Sequence, residues 1–344
     1  MKRILSLAFL SLILLGSLLF TSCIQVQVIE PSDRQPSESV SPAPGLYRTG
    51  TREPVYSWDA LVNEAGLVGQ DGKPNEALKW MLAGDLYLPD GIQGIGYEWY
   101  RSCNQLTAIV LPDSVVCLET SCFEDCGNLQ YVDLGKGITS IPEYAFTNCD
   151  SLTTVVMSDA VTQIGHFAFS GCHRLKLTLP ADLTTIGIYA FSGCQLLEEI
   201  PALTKLKSIG ECAFYGCRSL KEIPTLAKLE QVGIHAFEKC TSLTTVYPLP
   251  ALKETGSSPF YGCTSLKTIH WAESMECAGF AAYNRSLEIY LDTPILPSWF
   301  CAQDYRECTF YLPCGEGELQ FEDEATCNWS VFMEHNTFVY GCGG

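Results

Sequence analysis

Basic residues are scarce in this chain. Lys and Arg number 21 against 39 Asp and Glu over 344 residues, a formal net charge of −18. Nucleic acid and anionic lipid would be repelled by that charge and are poor partners, and the acidity reads as a soluble, self-repelling surface. Histidine is scarcer still, at five residues. The phosphate-cradling GxxxxGK[ST], the zinc-binding HExxH and the nucleophile motif GxSxG are missing, as are paired carboxylates at a recognisable spacing. No catalytic residue, metal site or cofactor is therefore assigned, and enzymatic activity is not expected. Apolar residues are plentiful. With 47% hydrophobic and 17% charged residues, the chain can bury a sizeable core and is too apolar to be disordered by composition.

Residues 1–22 have the form of a secretory leader: Lys2 and Arg3, an apolar run, then Phe-Thr-Ser ahead of Cys23. Small residues before a cysteine resemble the bacterial lipobox, in which Cys23 becomes the lipidated first residue of the mature protein, although Phe20 departs from the usual leucine. An ordinary cleaved leader or a retained anchor are the other readings, and the run is short for a spanning helix. Residues 23–56 include EPSDRQPSESVSPAPG, rich in Pro and Ser without periodicity, which reads as a flexible tether.

A repeat fills the next 200 or so positions. Aromatic residues recur at Tyr100, Phe123, Phe146, Phe169, Phe191, Phe214, Phe237 and Phe260, every step being 23 residues except one of 22. Three residues after each stands a cysteine: Cys103, Cys126, Cys149, Cys172, Cys194, Cys217, Cys240 and Cys263. A period in the low twenties marks a solenoid in which each unit is one turn, too small to bury its own apolar face. In CRSLKEIPTL, starting at Cys217, Leu220 and Ile223 keep spacings that recur in the other units and predict a short strand. Successive turns run the same way, so the sheet is parallel. Gly165, Gly187, Gly210 and Gly233 fit a tight backbone passage that a Cβ would obstruct.

The pattern IGxxAFxxCxxLxxI resembles the leucine-rich repeat of the BspA-like, or Treponema pallidum-type, family, over about Leu86 to Trp271. Departures are local: Trp99-Tyr100 replaces Ala-Phe in the first unit, Cys122 replaces Ala in the second, Ser258 and Pro259 disturb the last, and the fourth is one residue short. The expected fold is a repeat solenoid, with a strand and a loop or short helical turn in each of about eight units over 86–271. Helical spacing of Trp58, Leu61, Val62 and Leu67, and of Leu78, Met81 and Leu82 behind Asn75, predicts a helical N-terminal cap over 57–85. Residues 272–344 look like the family's β-rich closing segment, with a Thr293-Pro294 turn, an apolar strand into Leu312-Pro313, and Trp329 and Phe332 near the end. The resemblance also implies adhesion, with host matrix proteins or other cells as partners and a lipid anchor in the bacterial outer membrane.

A catalytic cysteine needs one activated thiolate beside a base, whereas eight equivalent cysteines recur here whatever surrounds them. Zinc needs ligands that converge tetrahedrally, and His166, His173, His235 and His270 hold unrelated positions in their units. Disulfides between equivalent residues would be strained, since adjacent rungs hold parallel Cβ atoms about 4.8 Å apart against the usual ~3.8 Å. The remaining reading is a structural cysteine ladder, small and inward-facing, with its weak S–H donor aimed at a backbone carbonyl. Outside it, the cysteines after residue 300 are either disulfide partners or core residues of the closing segment.

Strand residues between the inward-facing ones point to the outer side of the sheet. Counting eight and ten residues past each aromatic places Tyr131, Asp133, Glu199, Glu222, Tyr247 and His270 there. Rigid aromatics with carboxylates suit recognition of another protein, and ordinary solvated strand residues are the plainer alternative. Three functional classes follow: a protein-binding or adhesion module at the cell surface, an envelope scaffold that never meets a host, or an enzyme seated among Glu316, Glu318, Glu322 and His335.

Overall fold

A computed structural model describes residues 66–271, 287–296, 307–315, 318–321 and 329–341. The leader, Cys23, the tether and Trp58 lie outside the described residues, as do Cys277, Cys301, Cys327 and Cys342. Among the described residues no helix is long and apolar enough to cross a membrane.

The chain coils into a β-solenoid of about nine turns whose strands pair in parallel between turns. One broad sheet begins with Ala83–Tyr87, Gln105–Val110, Tyr131–Asp133 and Thr154–Val156. It resumes as Glu222–Ile223, Thr245–Val246, Thr268–Trp271, Glu288–Leu291, Thr309–Leu312 and Thr337–Tyr340. Narrow ladders of two-residue strands line another side, one pairing Gly94–Ile95 with Cys117–Leu118 and a second of six strands from Ser140–Ile141 to Glu254–Thr255.

Proline explains the later part of the gap in the broad sheet, which begins at the short fourth unit. In the Thr245–Val246 turn, the Tyr247 N–H donates to the Ile223 carbonyl at 2.9 Å. The residues at that position one and two turns earlier are Pro224 and Pro201, which have no N–H to give. On this face the turns are joined only by isolated bonds such as Lys221 N–H to Glu198 O at 3.2 Å.

The turn around each repeated aromatic satisfies its backbone by alternation. The N–H groups of Tyr144, Phe146 and Asn148 donate to the carbonyls of His166, Ala168 and Ser170 in the next turn, at 2.8–2.9 Å, while those of Ala145, Thr147 and Cys149 donate back within their own turn. That alternation forces the residue two before each aromatic into the left-handed region, at φ 58° for Tyr144, 56° for Phe167 and 53° for Tyr189. Such a conformation costs a non-glycine residue roughly 1–2 kcal/mol, an amount held down by the inter-turn bonds on both sides. Gly187 has a different reason to be glycine. Its φ is ordinary, but a Cβ there would lie 2.6 Å from the carbonyl carbon of Gly165 in the previous turn.

The expected helical cap is not seen in its described part. Asn75 does cap a turn, its Oδ1 accepting the Ala77 N–H at 3.1 Å, but only the 3-10 turn Lys79–Met81 follows. Leu82 is already extended, because Ala83–Tyr87 must pair with Gln105–Val110. The coil therefore begins inside residues 57–85. It also continues past residue 271: Glu288–Leu291, Thr309–Leu312 and Thr337–Tyr340 extend the broad sheet in register. The expected β-rich closing cap is not seen as a separate element: the strands described within 272–344 are further turns of the coil. Within it the helix Trp329–His335 buries Phe332 edge-on against Phe310, centroids 5.4 Å apart.

Candidate binding face

The repeated aromatics fill the coil axis. Tyr100, Phe123, Phe146, Phe169, Phe191, Phe214, Phe237 and Phe260 stack with centroids 5.2–5.6 Å apart and planes within 16°, all of them buried. Tyr100, at the end of the stack, differs usefully from Phe, since its hydroxyl donates to the Gly72 carbonyl at 2.5 Å.

Beside the rings the cysteines form a second column. Each thiol from Cys126 to Cys263 donates to the carbonyl of the aromatic in the previous turn, at 2.9–3.2 Å. That carbonyl also accepts the N–H of its own cysteine, for example Cys172 N–H to Phe169 O at 3.1 Å. Burial pushes the Cys103 thiol up to about 12 and likewise raises Cys126, Cys149 and Cys194 well above the ordinary thiol range. A thiolate is therefore disfavoured at these positions, and nucleophilic or metal-ligating chemistry with it. Cys308 and Cys314 are likewise buried thiols, whereas Cys117 is exposed.

The six outer-face residues do not form one site. Tyr131 and Asp133 are half-buried on the first part of the broad sheet. Burial raises the Asp133 carboxyl, against a hydrogen bond from the Gly135 N–H at 3.0 Å. Glu199 is exposed in the proline gap. Glu222, Tyr247 and His270 lie on the second part of the sheet, where the arrangement is more continuous.

Tyr247 is 40% exposed, and its ring stacks on His270 at 6.3 Å. His270 stacks on Tyr290 at 4.7 Å, and Tyr290 on Tyr311 at 4.2 Å with planes 4° apart. The result is a four-ring stack on the outer side of the sheet. Burial lowers the His270 pKa, with Asp292 opposing, and raises that of Asp292, with His270 opposing. A neutral imidazole at pH 7 follows, which suits a ring held between two phenols.

Sequence reasoning missed Tyr290 and Tyr311 because the steps from His270 are 20 and 21 residues instead of 23. A usable signal existed: TIHW, EIYL and TFYL share one alternation of outward and inward residues. A further ring column, Tyr144, Phe167 and Tyr189, was also missed. Its rings are half-buried and stack at 4.9–5.0 Å. For the enzyme alternative, Glu316 and Glu322 lie outside the described residues. Glu318 and His335 are exposed, the former accepting the Gly315 N–H at 2.9 Å. Among the described residues no three His, Cys, Asp or Glu side chains group as metal ligands.

Parallel coiling at about 23 residues per turn, with one strand on the broad face and a stack of inward apolar residues, defines a leucine-rich repeat solenoid. Proteins of this class serve as scaffolds and binding modules through their extended surfaces. The model of the BspA-type leucine-rich repeat region matches residues 74–198 and 172–289 in six copies, and the chain belongs to that family. Among solved structures, a leucine-rich repeat protein from Bacteroides ovatus ATCC 8483 is 22% identical over 70% of this chain and 71% of its own, with a TM-score of 0.50. The T. pallidum leucine-rich repeat protein is 30% identical over 46% of this chain and 77% of its own, at a TM-score of 0.43. A leucine-rich cell surface protein from Faecalibacterium prausnitzii A2-165 is 21% identical over 74% of this chain and 87% of its own, at 0.43. No curated protein matches the chain.

Proposed function

We propose that the chain is an exported lipoprotein, tethered to the bacterial outer membrane through Cys23, whose solenoid is a protein-binding or adhesion module at the cell surface. In this reading residues 1–22 are removed, 23–56 hold the coil away from the membrane, the part of 57–85 ahead of Ala83 covers its first turn and the last turns within 272–344 close it. The family supplies the binding-module class. The leader ending in Phe-Thr-Ser-Cys supplies the anchor. The observation that carries the binding reading is the outer ring stack from Tyr247 to Tyr311. Partly exposed rings in a row serve no core, and a rigid aromatic surface with carboxylates beside it is the composition of a recognition patch.

Protease shaving of intact native cells, followed by an antibody to the repeat region, tests the location. Loss of the signal with the outer membrane intact is the expected result. Survival of the signal removes the adhesin reading and leaves an envelope scaffold, whose partner is then sought by crosslinking. Binding itself is tested with purified mature protein against host matrix proteins, wild type beside Tyr247→Ala. A matrix protein bound equally well by both would place recognition elsewhere on the coil.

A further inference from the structure

We propose that the outer face of the C-terminal sheet receives an extended segment of a partner protein with two basic residues four positions apart, lying across the turns. This rests on the reading of that face as the binding surface and adds the chemistry of what it takes.

Register puts two rows of outward side chains on this sheet. The first runs Glu222, Thr245, Thr268, Glu288, Thr309 and Thr337. The second runs His270, Tyr290, Tyr311 and Val339, with Tyr247 stacked against His270. Neither row contains a lysine or arginine. Glu222 and Asp292 are exposed and Glu288 is half-buried, accepting the Thr268 hydroxyl at 3.4 Å. With the His270 pKa lowered by burial, the fixed charges within these two rows are negative, in a chain whose net charge is −18. Lysine and arginine carry only donors and are drawn both to carboxylates and to aromatic rings.

Geometry narrows the partner further. Glu222 and Glu288 are three turns apart in one row. At about 4.8 Å per turn they stand roughly 14 Å apart. An extended chain rises about 3.3–3.4 Å per residue and alternates its side chains, so residues i and i+4 point the same way roughly 13 Å apart. Two basic residues at that spacing meet the two carboxylates. Threonine hydroxyls lie between them, and the ring row runs alongside, two residues away along each strand.

The test is panning of a phage-displayed random peptide library, whose multivalency makes weak binders visible, on intact mature protein. Retention of the selected peptides is then compared on Glu222→Gln/Glu288→Gln and on Tyr247→Ala. Both variants alter outward side chains, and their melting curves are recorded alongside. Expected are peptides with two Lys or Arg four apart, released by salt, and retained about tenfold less by each variant. Neutral or acidic peptides that still depend on Tyr247 would overturn the basic-partner assignment and leave the face as the binding surface. Retention unmoved by either variant, or no enrichment at all, would overturn both.

Discussion

Inside the coil, rings from Tyr100 to Phe260 stack at 5.2–5.6 Å, in steps of 22 or 23 residues. On the outer face, Tyr247, His270, Tyr290 and Tyr311 stack at 4.2–6.3 Å in steps of 23, 20 and 21 residues. The spacing between turns is thus set by hydrogen bonds between strands, and loop length is free to vary once those bonds are made. A constant period is needed only where every position of the turn must meet its equivalent, as in the packed Phe and Cys columns. The outer stack needs only the strand residues to align.

The comparison is broken most directly by truncating one ring of each stack. Phe191→Ala, in the middle of the inner stack, is expected to cost about 3–5 kcal/mol in urea unfolding, since a buried ring leaves a cavity between two others. Tyr247→Ala, at the exposed end of the outer stack, is expected to cost under about 1 kcal/mol. Equal losses would mean that the outer stack is structural and not a surface for partners.

A smaller effect separates the two inner columns. Cys194→Ala removes the thiol donor to the Phe169 carbonyl, which keeps its bond from the Cys172 N–H. A loss of about 1–2 kcal/mol is expected, less than for the ring. In the same protein Cys117 should react with a thiol reagent under native conditions, and the ladder cysteines only on unfolding. Rapid native labelling of Cys194 would contradict the burial that raises its pKa.

The smallest effect is a pH dependence confined to the outer stack. Burial lowers the His270 pKa below its ordinary value of about 6.5, so the unfolded chain takes up that proton first as pH falls. The contribution of His270 to stability is therefore present above that value and is lost as pH falls below it, through the lowered pKa of the folded state. Melting curves of wild type and His270→Phe should converge at neutral pH and separate in mild acid, with wild type the less stable of the two. Parallel curves across that range would show that the ring is not desolvated between Tyr247 and Tyr290.

Much of this was legible in the residues. The period of Phe and Cys implied turns stacked in parallel, because a side chain recurring at one position of every turn must meet its own kind. The glycines of the IGxxAF pattern implied close backbone passage, and the structure shows that the neighbour at Gly187 is the previous turn. Less legible were the ends. Leu78, Met81 and Leu82 have helical spacing, yet pairing of Ala83–Tyr87 with the next turn stops the helix after Lys79–Met81. Beyond Trp271 the period fades, and only the alternation that TIHW shares with EIYL marks Glu288 as the partner of Thr268.

The sequence by itself determined the family, the coil, the buried ring and cysteine columns and the scarcity of positive charge, since each is a property of repetition or composition. Only the tertiary structure decided that Tyr247, His270, Tyr290 and Tyr311 form one surface and that Tyr131 and Asp133 belong to another. Hydrogen-bonded register brings together residues that irregular loops hold apart in the chain, and prolines at 201 and 224 interrupt a sheet that the repeat alone would have made continuous.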